Sequence, residues 1–596
     1  MTELNFKGKE FVYNHHLSVP FHPLVPHADK GIGEVAFDGN LIVQGDNLKA
    51  LKALMPMYAG KVDCIFIDPP YNTGNEGWAY NDNVNAPMIK EWMESNPIGI
   101  EDGLRHDKWC AMMWPRLRLL HELLDENGSI WITLDDNEIS NARKILDEIF
   151  GEENFVTCLA WQKIYTVKNS SKYFSGMHDH VLVYAKQKET WVLNLIPRDE
   201  ENDYSNPDND RRGDWSTNAV QARNPYSKGL YEIKSPKGKT FKPPLGTYWR
   251  VSKKTFDDLE TDGRIWWGAK GDSIPRIKKF LNEAKDGIVP STIWFHGESG
   301  TNGSAKERLR EIFSDQDELF ITPKPVELLK RVLAIGTSKD AIVLDSFAGS
   351  GTTAHAVLEA NKRDGGNRSF ILVEMEDYAD ELTAERVRRV INGYDFIGTQ
   401  KTELLREKLN WKKLETAADL VAKVEGIENL EGADFEKINK NIKDGELIVT
   451  GEIKFEERAE GLGGSFTYCT LGDPVEMDKI LTGESLPAYD QLGALLFHMA
   501  TNRPLDMAGI DQGANYLGQS DDRHVWLIYR DDLDWLKSQE AALTLSFARQ
   551  IAAEKTDKPH LVFAPARFVS QKLLNEEHLQ VEFAPLPFAL YRIESD

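Results

Sequence analysis

The chain is poor in cysteine, with four in 596 residues at positions 64, 110, 158 and 469. That number and scatter exclude a disulfide framework and a zinc ribbon. The thiols read as reduced, and Cys64, inside a strand-like run, reads as a small core residue. No stretch of about 18 apolar residues exists, and the N-terminus lacks a basic segment leading into an apolar core and a small-residue cleavage site. The expectation is a cytoplasmic protein with no membrane partner. There is no internal repeat and no low-complexity tract. The tight histidine cluster His178-Asp-His180 abuts the strand-like run 181–185 and reads as a structural turn, so no metal site is expected.

Positive charge is also scarce overall, with a net charge of −24. The distribution matters more than the sum. Residues 211–280 hold 16 Lys or Arg against 7 Asp or Glu, whereas residues 401–596 hold 22 against 35. A local basic stretch is what phosphate contact needs, because each cation at a phosphate releases condensed counterions. Arg211, Arg212, Lys234, Lys237 and Lys239, interleaved with Trp215, Tyr226, Tyr231, Phe241, Tyr248, Trp249, Trp266 and Trp267, are the expected contacts to nucleic-acid phosphates. A bland reading competes, since any exposed β-rich module carries such residues.

At 41% apolar and 28% charged residues the chain reads as globular, with room for about three or four domains of ~150 residues. Residues 1–40 show no sustained period and read as an N-terminal arm. From Leu41 strands alternate with helices: a strand at 41–44, a helix at 47–54 ended near Pro56, a strand at 62–67, a helix from Trp109 through Leu124 ending at Asn127-Gly128, a strand at 129–134 and an amphipathic helix at 137–150. A loop rich in Asn, Gly and Asp spans 72–85. The rhythm lapses over 155–320, an expected inserted region, and resumes over 321–392 with a helix at 326–335, a strand at 341–345, a helix at 352–361, a strand at 369–374 and a helix at 377–391. A Lys/Glu-rich helical linker is expected at 393–449 and a small mixed α/β domain at 450–596. Alternation of this kind predicts an α/β fold, a mostly parallel, doubly wound sheet with helices on both faces.

Two turns carry the chemistry. The strand at 62–67 runs into Asp68-Pro69-Pro70-Tyr71. A carboxylate, a proline carbonyl and an aromatic face suit one flat, amino-bearing ring. The exocyclic amine of adenine or cytosine is a poor nucleophile because its lone pair is delocalised into the ring. Accepting its two hydrogens at Asp68 and at the Pro69 carbonyl favours a pyramidal nitrogen, and Tyr71 can stack on the ring. Such a ring is unreachable inside a duplex, so the base must be extruded.

The second turn, Ser346-Phe-Ala-Gly-Ser-Gly-Thr-Thr353, follows the strand ending at Asp345. A strand feeding a glycine turn and a helix points backbone N–H groups at one spot. A P-loop is excluded, because Thr352-Thr353 stand where a phosphate-binding lysine is required. The spacing Gly349-x-Gly351-x-x-Ala354 is legal for a dinucleotide, yet Asp345 would repel a pyrophosphate. S-adenosylmethionine, with its cationic amino and sulfonium groups, has the opposite requirement, and Glu374 is placed to accept ribose hydroxyls.

The two turns in this order resemble the β group of DNA amino-methyltransferases. More narrowly, the blocks Gln44-Gly-Asp-Asn-Leu-Lys-Ala-Leu51, Ile67-Asp-Pro-Pro-Tyr-Asn-Thr-Gly74, Gly128-Ser-Ile-Trp-Ile132, Thr322-Pro-Lys-Pro325 and Leu344-Asp-Ser-Phe-Ala-Gly-Ser-Gly-Thr-Thr353 resemble the modification (Mod) subunits of Type III restriction-modification systems, over roughly residues 40–392. The resemblance implies a Rossmann-like methyltransferase with the target-recognition module inserted between its halves. It also implies that Asp68, Pro69, Pro70 and Tyr71 act on adenine N6, a serine-initiated motif being the cytosine N4 form. The cofactor loop is then Asp345, Phe347, Gly349, Gly351 and Thr352, with Glu374 at the ribose, Asp46 near the cofactor adenine, and Thr322, Lys324 and Pro325 beside the methionine end. It further implies a homodimer and a separate helicase-nuclease restriction subunit, because this chain shows neither a Walker lysine nor a nuclease constellation. The competing class is a DNA-recognition subunit of a related phage-defence complex whose main role is delivery of a nuclease or helicase partner.

Overall fold

The computed structural model describes residues 4–73, 103–197, 204–283, 287–316, 322–409, 411–443, 445–474, 486–501, 503, 505–536 and 538–586. The Asn/Gly/Asp-rich loop expected at 72–85 lies outside them beyond Thr73. Two compact units emerge, one formed by residues 1–192 with 292–596 and the other by residues 193–291.

The larger unit is organised on a ten-stranded sheet. In chain order its strands are β1 (Leu24–Pro26), β2 (Leu41–Gln44), β3 (Val62–Ile67), β4 (Leu124–Leu134), β5 (Phe155–Trp161), β6 (Asp179–Ala185), β7 (Ile293–Trp294), β8 (Ile342–Asp345), β9 (Ser369–Glu374) and β10 (Thr467–Leu471). They lie in the order β1-β10-β2-β9-β8-β3-β4-β6-β5-β7. The pairs from β10 through β4 are all parallel, and β6 runs antiparallel to both β4 and β5. Leu41, Ile42 and Val43 of β2 and Ile65 and Ile67 of β3 are fully buried, with Phe66 nearly so. Strands apolar on both sides must be covered on both faces. Helices α1 (Asn47–Tyr58), α2 (Arg105–Leu123) and α3 (Ile139–Phe150) pack on one another as one group, and α4 (Val326–Gly336) packs on α5 (Thr352–Asp364) as another.

The connectivity fixes where a ligand can sit. From β3 the chain passes to β4 on one side, and from β8 to β9 on the other, while β8 and β3 are themselves neighbours paired Val343 to Cys64 and Leu344 to Ile65. A crevice opens outside the carboxyl ends of two strands whose crossovers diverge. Both glycine- and proline-bearing turns leave the sheet there.

Several expectations require correction. The helix expected to stop near Pro56 runs on to Tyr58, because a proline in the last turn forfeits one bond while Ala59 N–H still reaches the Met55 carbonyl at 3.1 Å. The helix expected to begin at Trp109 begins at Arg105, and β4 starts at Leu124. His178-Asp-His180 is no turn, since Asp179 and His180 open β6. Sheet structure persists past Phe155, because β5, β6 and β7 all fall inside the expected insert 155–320, whereas the separate compact unit covers 193–291. The arm 1–40 contributes β1, and the C-terminal region contributes β10 beside β2. The linker expected to be helical is mainly a three-stranded antiparallel sheet, Gly393–Lys408, Lys437–Lys443 and Glu446–Glu460, with the helix Ala417–Glu431 between its first two strands.

The described residues of the unit 193–291 form short antiparallel pairs and one α-helix, Lys253–Thr261. Val220, Ile233, Trp249, Phe256, Ile265 and Trp267 form its core, with Tyr231 and Phe241 packed against them. Much of its aromatic content is therefore spent on packing.

Candidate active site

The crevice between β3 and β8 is a cleft of about 710 Å³. Its lining includes Asp68, Pro69, Pro70 and Tyr71 from the first turn and Asp345, Phe347, Gly349, Thr352 and Glu374 from the second half, together with Thr322 and Lys324. Lys324 ties the two halves together. Its ammonium is ion-paired to Asp68 Oδ2 and stands 5.1 Å from the centre of the Tyr71 ring, while its own carbonyl accepts from the Thr352 hydroxyl at 3.2 Å.

The proline turn is rigidly held. Trp109, at the sheet-facing side of α2 and fully buried, donates its indole N–H to the Pro70 carbonyl at 2.7 Å. Among the described residues no donor reaches the Pro69 carbonyl. Thr133, buried in β4 next to β3, donates its hydroxyl to Asp68 Oδ1 at 2.5 Å. The carboxylate is thus oriented from one side by a hydroxyl and from the other by a cation. Asn72 adopts a left-handed backbone at φ 58° and donates its amide to Glu138, closing the turn.

The glycine turn is shaped by close approach. Gly351, at φ 75°, opens α5, and a Cβ there would lie 2.9 Å from the Thr383 carbonyl oxygen. Gly349 N–H donates to Glu374 Oε2 at 2.7 Å, and the Met375 and Glu376 amides donate to Oε1. The segment after β9 passes through a 3-10 turn (Asp377–Ala379) and a wide π-type turn (Asp380–Ala384) before its α-helix (Glu385–Asn392). That widening aims the Thr383 hydroxyl at the Gly349 carbonyl and the fully buried Arg386 at Ser350 and Thr352. Burial lowers the Arg386 guanidinium to about 10.

Carboxylates dominate the cleft. Burial pushes the Asp345 carboxyl up to about 7, against the opposing bonds from the Thr353 hydroxyl and the Phe347 amide at 3.0 Å, and the Asp68 and Glu374 charges push it the same way. Burial also raises Glu374 and Asp179. The Tyr71 phenol is lifted well above its usual value by burial and then by the Asp68 and Asp179 charges. Ser346 and Asn47 line this cleft, and the buried Ser346 hydroxyl and Asn47 side-chain oxygen have no hydrogen-bond partner among the described residues. Unsatisfied buried acceptors and mutually repelling carboxylates suit a ligand that brings cationic and hydroxyl donors.

Not every expected site residue lines the cleft. Asp46 instead caps α1, its Oδ1 accepting from Lys49 N–H at 3.0 Å, and its neighbour Asn47 takes the place on the wall, donating to the Ser346 carbonyl. Gly351 and Pro325 are not among the lining residues. Sequence reasoning missed Lys163 and Asp179, a pair at 2.6 Å on the same wall as Asp68. No spacing in the sequence marks such a pair, and the neighbouring cluster His178-Asp-His180 had a simpler reading as a turn.

The five expected DNA contacts lie in the unit 193–291. Arg211, Lys234, Lys237 and Lys239 are exposed. Arg212 is committed to its own unit, paired with Asp210 at 2.9 Å and Asp262 at 3.0 Å and stacked 4.3 Å over the Phe280 ring.

The chain is 32% identical over 417 residues to the Type III restriction-modification enzyme StyLTI Mod subunit of Salmonella typhimurium, an alignment covering 65% of this chain and 62% of that subunit. It is 30% identical to the EcoPI Mod subunit of Escherichia phage P1, over 65% of this chain and 66% of that one. The chain thus spans somewhat under two thirds of the length of these relatives. Among solved structures, the PvuII DNA methyltransferase (cytosine-N4-specific) aligns with 58% of this chain and 86% of its own at 13% identity and a TM-score of 0.31. The family model for DNA methylases matches residues 62–386, from β3 to the first turn of the helix Glu385–Asn392, and the chain belongs to that family.

Proposed function

We propose that the chain is a site-specific DNA methyltransferase that moves a methyl group from S-adenosylmethionine to N6 of an adenine extruded from double-stranded DNA. When bound, S-adenosylmethionine supplies an electrophilic methyl on a cationic sulfur. Glu374, Asp345, Phe347, Asn47 and the Gly349 turn would hold it, consistent with the cleft's surplus of acceptors.

The base-binding half is the turn 68–71. Asp68 and the Pro69 carbonyl accept the two amine hydrogens and draw the nitrogen toward a pyramidal geometry that frees its lone pair. Tyr71 offers its face to the ring, Thr133 orients the Asp68 carboxylate, and Trp109 fixes the following peptide through the Pro70 carbonyl before the base arrives. Such preorganised acceptors act in a partly dehydrated cleft and need no reorganisation during reaction. The methylated nitrogen is acidic enough to shed its proton without a strong base.

The observation that carries this reading is the Lys324 bridge, which places Asp68, Tyr71 and the Thr352 end of the glycine turn on one cleft. The aspartate at position 68 supports adenine over cytosine. The relatives named as Mod subunits support a role as the modification component of a restriction-modification system. Recognition by the same chain, a homodimer and a separate helicase-nuclease chain are the finer reading, carried by the motif resemblance alone. Incubating the purified chain with methyl-labelled S-adenosylmethionine and DNA lacking its modification yields N6-methyladenine on this reading, and methylcytosine alone refutes the base assignment. Asp68→Ala is expected to abolish turnover while leaving S-adenosylmethionine affinity within about threefold, a span of ~0.7 kcal/mol.

A further inference from the structure

We propose that the hairpin joining β5 to β6, residues 162–178, is a DNA wedge whose Tyr173 and Phe174 enter the base stack at the position an extruded base leaves. This rests on the methyltransferase reading of the cleft and adds the element that holds the duplex open.

Both feet of the hairpin stand in the cleft. Lys163 and Asp179, its first and last anchors, are paired at 2.6 Å and line the same wall as Asp68 and Tyr71. Above them the chain is laced rather than loose. Ile164 N–H donates to the Met177 carbonyl at 3.3 Å, Lys168 N–H to the Ser175 hydroxyl at 2.9 Å and Ser171 N–H to the Lys168 carbonyl at 3.1 Å. Tyr165 stacks on His296 with ring centres 5.2 Å apart, bracing the lower half.

At the far end the hairpin presents apolar rings to solvent. Tyr173 is 82% exposed and Phe174 97%, the most exposed aromatic side chain among the described residues, and Val167 is also exposed. Adjacent rings left in water on a pinned backbone mark a contact surface rather than a packing remnant. The charge of the hairpin identifies the occupant. In a chain of net charge −24, residues 162–178 contain Lys163, Lys168 and Lys172 and no Asp or Glu. Lysines beside solvent-exposed aromatics, with the Lys172 ammonium 5.2 Å from the centre of the Tyr173 ring, suit a polyanion whose interior is stacked rings, which is duplex DNA. Extruding a base leaves a gap in the stack, and inserted apolar side chains are a general means of filling one.

The test uses the full chain and a duplex carrying the site identified by mapping methylated genomic DNA, with 2-aminopurine at the target position to report extrusion. Tyr173→Ala/Phe174→Ala is expected to lose at least fivefold of the emission rise on binding and at least tenfold in methylation of the fully paired duplex. On a duplex whose target adenine faces an abasic position, where extrusion is already cheap, methylation is expected within threefold of the parent chain. Tyr173→Leu/Phe174→Leu, which keeps an apolar wedge, is expected to retain most of the activity on the paired duplex. Methylation of the paired duplex within twofold of the parent overturns the wedge, as does an equal loss on both duplexes. A parent chain that methylates no DNA removes the underlying methyltransferase reading instead.

Discussion

Thr133→Val isolates the positioning of Asp68 from its chemistry. The two side chains have nearly the same shape, Thr133 is fully buried, and its hydroxyl donates to Asp68 Oδ1 at 2.5 Å. A hydrogen bond to a charged group contributes about 1.5–3 kcal/mol, and each ~1.4 kcal/mol is tenfold in rate. The upper bound on the loss is therefore ~150-fold if the whole bond is spent in the transition state. Asp68 is 22% exposed, so water replaces part of the bond, and Lys324 still holds the other oxygen. The expected loss is about 10–30-fold in kcat. S-adenosylmethionine binding, which this hydroxyl does not touch, should stay within about twofold, or ~0.4 kcal/mol. Single-turnover methylation with saturating cofactor measures the first quantity and equilibrium binding the second. Thr133→Ser, which keeps the hydroxyl, should return kcat to within about threefold. If valine is as active as threonine, or serine as damaged as valine, the hydroxyl does not orient the carboxylate and the account of the turn fails.

Three further outcomes are expected. Asp345, raised by burial to about 7, is largely protonated at pH 6 and ionised at pH 8, so affinity for cationic S-adenosylmethionine should rise across that window and be flat in Asp345→Asn. The sign for stability is opposite: a carboxyl whose folded value is raised stabilises fully below its ordinary value near 3.8 and loses that contribution as pH rises through about 7, so the melting temperature of Asp345→Asn should gain on the parent between pH 4 and pH 8. Maleimide under native conditions should label Cys158 far faster than Cys64, Cys110 or Cys469, since Cys158 is exposed and the other three are buried, and peptide mapping reads this directly. Joint replacement of Arg211, Lys234, Lys237 and Lys239 by Gln should weaken DNA binding and flatten its salt slope with unchanged melting, whereas Arg212→Gln, which breaks two ion pairs and a ring contact, should lower the melting temperature; an unchanged slope places DNA elsewhere.

The parallel core was legible because its strands are short apolar runs ended by turn chemistry, and because those ends carry residues too costly to place without a ligand. Asp68 and Asp345 were each visible as a carboxylate leaving a buried strand, and their adjacency followed from strand order. Residues 393–408 were not legible. Their Glu, Lys, Leu and Arg content favours a helix locally, yet they form a sixteen-residue strand because pairing along Glu446–Glu460 and packing of Leu404 and Leu405 against Val424, Leu447 and Val449 outweigh local preference. Lys163 and Asp179 escaped for a different reason. A polar pair that closes the foot of a hairpin has no spacing rule, and only the antiparallel return of β6 beside β4 brings it to Asp68.

The seating of β8 between β3 and β9, and of β10 between β1 and β2, has a consequence for how the molecule comes into being. A nascent chain that has emerged as far as β4 presents the bare flank of β3 with its backbone groups unpaired, and nothing supplies the neighbour until some two hundred residues later. Loop closure over that span is slow, and an open apolar strand edge invites intermolecular pairing meanwhile. Fragments stopping short of residue 471 would keep the outer side of β2 equally bare. Their fate should be aggregation or proteolysis, so the proposed methyl transfer would begin only once a protein carrying both late-arriving strands has assembled.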